Sequence, residues 1–166
     1  MLFLICLAIT ALVVLYGRDF VRKHAVALYW AAGILSVGVS LGELLHVSSY
    51  LSYNVERLLW YPLSSGCLAT ALFVAVMYAG AFPKGSAGRK NLMPFRMHFS
   101  IIAGILALGH NLTAGQTHFS ALFTAPETMP GNIRAAAICS IALILLLLPL
   151  LVTSFPAVRK KMTAAG

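Results

Sequence analysis

The sequence predicts an all-α protein, a polytopic membrane helix bundle with five transmembrane helices, and three observations lead to this fold class. Hydrophobic residues make up 60% of the 166 residues and charged residues only 10%, whereas soluble domains carry about 25% charged residues. The mean hydropathy is +0.90. Five long stretches are nearly free of Lys, Arg, Asp and Glu, and one helix needs about 17–25 apolar residues to cross a bilayer.

The predicted spans, in chain order, are approximately 1–17, 25–47, 58–82, 97–115 and 135–158. No positive charge precedes the first stretch and no small-residue cleavage site follows it before Arg18, so we interpret it as a retained helix rather than a signal peptide. Glu43 is the one charge in the second. Pro62 falls in the first turn of the third, where its missing N–H does no harm.

The fourth stretch is free of Lys, Arg, Asp and Glu from Met97 to Glu127, which is longer than a bilayer requires. We therefore expect its end beyond about Gly115 to be an outer loop, and the prolines and glycine of 113–131 favour irregular structure there. The fifth span is centred on the apolar run 141–148. Few residues remain outside the spans, so residues 1–166 form one transmembrane domain without a soluble catalytic domain.

The basic residues predict the orientation, because Lys and Arg concentrate in cytoplasmic loops. With the N-terminus outside and the C-terminus inside, the inner segments hold ten cations and the outer loops hold two. The inner ones are Arg18, Arg22, Lys23, Lys84, Arg89, Lys90, Arg96, Arg159, Lys160 and Lys161, and the outer ones are Arg57 and Arg134. The net charge of +8 thus needs no nucleic-acid partner. The basic segment 83–90 is predicted to be a flexible connector that contacts anionic lipid.

Ionisable residues inside predicted spans are candidate functional residues, because charge is costly there. They are Glu43, His46, His98 and His110, with His24 and His118 at the edges. The helical rise puts His110 ~21 Å and His98 ~3 Å beyond Arg96, and His46 ~33 Å beyond His24. His46 and His110 are therefore expected in the outer leaflet, and His24 and His98 in the inner one.

A neutral imidazole in a dry helix bundle is a natural ligand for haem iron. His110 is accordingly either a haem ligand or a hydrogen-bonded packing residue. His46 is either a ligand or a polar residue at a helix end, and His98 is either a ligand or an interfacial residue. Glu43 and His46 are spaced i, i+3 on one helix face. Glu43 either orients the His46 imidazole or forms a proton-relay pair with it, or the two residues form a pair at the membrane boundary that meets Arg57.

Small residues predict close helix contacts. Gly38 and Gly42 form a GxxxG pattern, which lets helices approach within the protein or between copies of the chain. Ala103, Gly104 and Ala107 give the fourth helix a similar face. The three cysteines, Cys6, Cys67 and Cys139, lie in apolar runs and are interpreted as small buried hydrophobic residues.

Two segments together resemble the ferric reductase-like transmembrane family, in particular its bacterial branch with the haem-binding membrane subunit of the methionine sulfoxide reductase system. The first segment runs from Pro94-Phe95-Arg96-Met97-His98 to His110-Asn111-Leu112, and the second is the stretch from Leu150 to Met162 with its Thr-Ser and basic cluster. In the family an Arg pair opens the helix and a haem-ligating His follows about fourteen residues later. Arg96 and His110 have this separation.

The resemblance implies haem b bound by a membrane subunit of a bacterial inner membrane. It further implies electron transfer from quinol or a flavin reductase to an external acceptor, with a redox partner protein completing any oxidoreductase reaction. The chain departs from the family at Met97, which replaces the second Arg. It also ends at Gly166, before the family's next histidine-bearing helix, so the second axial ligand is expected either from a missing segment or from His46. If haem binding has been lost, the alternatives are a cofactor-free anchor or assembly subunit, or a small proton or metal transporter component.

Overall fold

The computed structural model of the chain describes residues 1–155 and Val158. All regular elements in these residues are helices. They are α1 (Leu2–Tyr16), α2 (Arg18–Lys23), α3 (Ala25–Leu44), α4 (Tyr53–Ser64), α5 (Cys67–Ala81), α6 (Ala87–Leu92), α7 (Arg96–Thr124) and α8 (Gly131–Ser154). Short 3₁₀ turns occur at Val47–Tyr50, Met93–Phe95 and Pro126–Thr128. The predicted all-α class is therefore confirmed.

Three helical segments in the described part of the chain are long and apolar enough to cross a bilayer: Ala25–Leu44, Ala87–Gly115 and Gly131–Ser154. α4 and α5 pass the same test only as a pair, and they are bent by 52° at the break between them. α1 is apolar but has 15 residues, about 22 Å at the helical rise. The described residues thus contain three or four candidate spans, in agreement with a polytopic membrane protein.

α7 lies at the centre of the bundle, where it packs against α3, α5 and α8, and α1 packs against α5. The central helix is buried because its small residues admit its neighbours: Ala103 is fully buried, and the side chain of Leu151 lies against Gly104. The predicted small face of this helix is thus a packing face. Many large apolar side chains on the surrounding helices are exposed, as expected of surfaces that contact lipid.

The predicted third span, 58–82, is two helices rather than one. Gly66 separates α4 from α5 with φ of +73°, a left-handed conformation that glycine adopts at little cost. Before the break, a π-helical turn covers Glu56–Trp60, and it leads into Pro62, whose missing N–H needs no acceptor.

The fourth predicted span is longer than expected, since α7 continues to Thr124 instead of ending near 115. No proline interrupts the chain between Pro94 and Pro126, so nothing breaks the helix earlier. His118 consequently lies on this helix, exposed, and not in a loop. The basic connector is also partly ordered, because α6 forms within it and Ser86 accepts a hydrogen bond from the Arg89 backbone N–H at 3.3 Å.

The cysteines do not share one environment. Cys6 is buried in α1 as predicted, Cys67 is half-buried, and Cys139 is exposed on α8. α8 packs through a narrow face, on which Ala137 is buried, so other positions of this helix face outward. The basic cluster 159–161 lies outside the described residues.

Candidate functional site

Polar side chains follow the interface between α3 and α7. At one end the Tyr29 hydroxyl lies 2.7 Å from His98 Nδ1. Further along, the Ser40 and Thr113 hydroxyls share a hydrogen bond of 2.6 Å. Hydrocarbon offers no hydrogen-bonding partners, so these groups satisfy one another within the bundle.

Gly109 allows α3 and α7 to approach closely enough for these contacts. A Cβ at this position would overlap the Ser36 hydroxyl oxygen, and that hydroxyl donates to the Ile105 carbonyl at 3.3 Å. The small residue on α7 and the small polar residue on α3 therefore fix the spacing of the interface.

His110 is held by the bend between α4 and α5. Its Nδ1 lies 2.5 Å from the Ser64 carbonyl oxygen. A carbonyl only accepts, so Nδ1 carries the proton and Nε2 keeps a lone pair. The imidazole lies against Gly66, where an added Cβ would come within 2.8 Å of His110 Cδ2. The left-handed glycine thus provides the space for the ring, and the bend provides the carbonyl that orients it.

Glu43 finds a partner that the sequence did not indicate. Its Oε1 accepts a 2.6 Å hydrogen bond from Trp60 Nε1, and the same indole occupies the position of a Cβ on Gly42. Arg57 instead donates to the Tyr53 hydroxyl at 2.9 Å. Glu43 is therefore tied to α4 by an indole rather than to an arginine of the following loop.

His46 lies just past the end of α3 with φ of +53° and is exposed. α3 ends at Leu44, so Glu43 and His46 do not share a helix face as the i, i+3 spacing predicted. Gly38 has open space where a Cβ would be. Gly38 is thus exposed, whereas the Trp60 indole covers its predicted companion Gly42.

Two cavities border this group of residues, which we call the α3–α4–α7 cluster. It consists of Ser40, Glu43, Trp60, Ser64, His110 and Thr113. His110 lines an internal cavity of about 10 Å³, room for one water molecule. Glu43 and His46 line an open cleft of about 740 Å³, within the 300–1,000 Å³ range typical of ligand sites. Ser64 and Thr113 border both.

The donor set bears on which metal groups the cluster fits. No group of three or more His, Cys, Asp and Glu side chains comes together among the described residues, so a zinc-type site is not formed by them. Haem needs fewer protein ligands, because the porphyrin supplies four ligands and the protein supplies only one or two imidazoles. His110 fits this role chemically, since a backbone carbonyl commonly orients a metal-binding imidazole through its other nitrogen.

The volumes separate the two predicted ligands. The cavity at His110 has room for one water molecule and is too small for a porphyrin, whereas His46 lies on the cleft. The structure therefore brings His46 and His110 to adjacent cavities but not into one. His98, the third predicted residue, hydrogen-bonds to Tyr29 and does not line either cavity.

The other predicted residues lie apart from the cluster. Arg96 is the first residue of α7 and is exposed. His24 is exposed at the end of α2, with its ring centroid 4.9 Å from that of Phe20. Sequence reasoning missed Tyr29, Trp60 and Gly66. Tyr and Trp side chains are largely apolar but carry an O–H or N–H group that needs a hydrogen-bond partner when it is buried. This property could have indicated the first two residues.

Comparison with known proteins gives one relative without a stated function. The chain is 31% identical over 144 residues to an uncharacterised protein of Treponema pallidum (strain Nichols). The alignment covers 87% of this chain and 39% of the relative, so the chain spans about two fifths of that protein. The sequence matches no protein-family profile, and no solved structure matches it.

Proposed function

We propose that the protein is an integral protein of a bacterial inner membrane, with five spans, the N-terminus outside and the C-terminus inside. In this arrangement α4 and α5 form one bent span and α1 forms the fifth. Charge supports the orientation. Three cations lie between α1 and α3 and four lie from the end of α5 to the start of α7, whereas Arg57 and Arg134 lie in the first two turns of α4 and α8, on the opposite side. The α3–α4–α7 cluster then lies in the outer half of the membrane.

Within this membrane protein we propose that His110 is an axial ligand of haem b and that the protein transfers electrons. The cavity of about 10 Å³ beside His110 would have to open into the adjoining cleft to admit the porphyrin. The observation that carries the proposal is the hydrogen bond between His110 Nδ1 and the Ser64 carbonyl. It fixes the tautomer in which Nε2 can bind iron, and the described residues offer Nε2 no hydrogen bond. Burial in the bundle and the hydrogen bond to Nδ1 would set the reduction potential of the group.

The rest of this function rests on the resemblance to the ferric reductase-like family. It supplies the electron donor, a quinol or a flavin reductase, and the external acceptor, and it makes the protein the membrane component of an oxidoreductase system. The second axial ligand comes from His46 or from outside residues 1–166. His46 is favoured by its position on the cleft that shares Ser64 and Thr113 with the His110 cavity.

His110→Ala tests the haem proposal, because it removes the Nε2 ligand. The substitution only places a smaller side chain at a half-buried position, so the fold should tolerate it. We expect haem, measured by pyridine haemochrome per polypeptide, to fall at least tenfold. His98→Ala is the matched control, since His98 lies on the same helix and contacts Tyr29 instead. Full haem content in His110→Ala at wild-type helicity would refute the proposal.

A second candidate, a cofactor-free proton or metal transporter component, is favoured by the line of polar groups between α3 and α7. Tyr29 and His98 lie at one end, the Ser40–Thr113 hydrogen bond follows, and Glu43 lines the open cleft. Reconstituted into liposomes, such a protein would transport protons or metal ions, and Glu43→Gln would abolish this flux. The purified protein would show no haem absorption spectrum. An anchor subunit would show neither haem nor flux, and neither variant would change its behaviour.

A further inference from the structure

A second concavity lies away from the α3–α4–α7 cluster, between α1, α5 and α6. It is a groove of about 650 Å³ with almost entirely apolar walls. The residues that define its course are Phe3, Leu7, Ala11 and Leu15 on α1, with Val74 and Tyr78 on α5. From Phe3 to Leu15 the groove follows α1 for ~18 Å, which is close to the ~15 Å depth of one leaflet's hydrocarbon. Its dimensions are those of an acyl chain lying along a helix.

The end of the groove near α6 carries positive charge. Phe82 lines this end, and its carbonyl accepts a hydrogen bond from Arg89 Nη1 at 3.4 Å. Lys84 and Lys90, close to Arg89 in the sequence, are exposed. A guanidinium is therefore held by the backbone at the mouth of an apolar groove, and two further cations lie within five residues of it in the chain.

Local packing keeps this mouth in place. A Cβ on Gly88 would come within 2.9 Å of the Phe82 ring, so the glycine lets α6 lie directly on that ring. Ser86 caps α6 by accepting the Arg89 backbone N–H at 3.3 Å. The position of Arg89 is thus set by a cap and a glycine contact rather than by an unconstrained loop.

We propose that this groove binds one anionic phospholipid, with an acyl chain along α1 and α5 and its phosphate group on Arg89 and Lys90. The apolar walls match the chain, and Arg89 at the mouth, with Lys84 and Lys90 close by in the sequence, matches a headgroup of net negative charge. A zwitterionic lipid offers the same chain without the net charge, so charge complementarity selects the anionic one. The inference is independent of haem at His110, because none of its residues belongs to the α3–α4–α7 cluster.

The test is a titration of the purified full chain in neutral detergent with phosphatidylglycerol and with phosphatidylcholine, read by native mass spectrometry. The double variant Arg89→Gln/Lys90→Gln should bind phosphatidylglycerol about 25-fold more weakly, since each cation at an anionic surface is worth about fivefold in affinity. Arg57→Gln/Arg134→Gln removes the same charge away from the groove and should bind as the wild type does.

A second variant tests the groove itself. Ala11 is exposed and lines the groove, so Ala11→Phe should occupy the space of the chain and abolish the bound phospholipid without loss of helicity. Equal affinity of the wild type for the two lipids overturns the proposal. So does undiminished phosphatidylglycerol binding by either the Arg89/Lys90 double variant or Ala11→Phe.

Discussion

At the residue scale, the orientation of His110 depends on the backbone conformation at Gly66. The glycine bends the chain so that the Ser64 carbonyl meets Nδ1, and its missing side chain leaves room for the imidazole. A side chain at this position would both strain a left-handed backbone and displace the ring. The orientation of the His110 ring is therefore determined by residues between and at the ends of α4 and α5, outside the helix that carries His110.

Gly66→Ala should destabilise the protein by about 1–3 kcal/mol more than Gly85→Ala, the cost of inserting a methyl group into a packed site. Gly85 is the matched control because it also has a positive φ, +91°, but open space around it. Denaturation in SDS followed by circular dichroism measures the difference. Equal losses in the two variants would mean that the ring does not depend on the space at Gly66.

The sequence indicated the candidate residues better than their partners. Glu43, His46 and His110 stand out because ionisable groups are rare in apolar spans. The partners do not stand out: Trp60 lies on α4 and Gly66 between α4 and α5, far in the sequence from the residues they contact. Only the packing of α4 against α3 and α7 brings them together. The i, i+3 rule also fails for His46, because it applies only while the helix continues.

At the scale of elements, the interface between α3 and α7 depends on small residues at the crossing. Gly109 meets Ser36, and the Ser40–Thr113 hydrogen bond lies one turn further along. Without a hydrophobic driving force between helices in lipid, close packing and interhelical hydrogen bonds hold the pair together. Separation of the two helices would remove both at once.

Gly109→Ala should therefore lower the free energy of unfolding by about 1–3 kcal/mol, because the new Cβ overlaps the Ser36 hydroxyl. Gly80→Ala, on α5, has nothing within 4 Å of the added Cβ and should be neutral or slightly stabilising. Thermal unfolding in detergent compares the two. An unchanged melting temperature in Gly109→Ala would contradict the close crossing.

Hydropathy predicted where the helices are better than where they end. The apolar runs of α3, α7 and α8 correspond to predicted spans. Each of these helices must present apolar side chains to the bundle or to lipid over the part that crosses the membrane. Composition did not predict the end of α7 at Thr124, because a helix continues past the bilayer until something breaks it. The α4–α5 bend was missed because a single glycine in a long apolar run is not by itself a break.

At the scale of the whole molecule, the bundle is centred on α7, with the α3–α4–α7 cluster on its α3 side and the apolar groove on the far side of α5. Burial of α7 by α3, α5 and α8 places both features on fixed positions of one scaffold. The proposed orientation puts the cluster toward the outside and the basic mouth of the groove toward the cytoplasm.

The orientation makes a prediction about α1. An epitope tag before Met1 should be accessible from outside the cell, while a reporter inserted after Gly85 should be accessible only from the cytoplasm. A tag on the same side as Gly85 would show that α1, with its 15 residues, does not cross the membrane. A phosphatase fusion after Thr128, between α7 and α8, should be active and thus serves as the external control.

The central claim is that the chain binds haem through His110, and the most direct test is the reduced-minus-oxidised absorption spectrum of the purified protein with haem quantified per polypeptide. We predict a low-spin b-type spectrum at about one haem per chain, as expected of two imidazole ligands. Protein of full helical content without a haem spectrum would contradict the claim for these 166 residues.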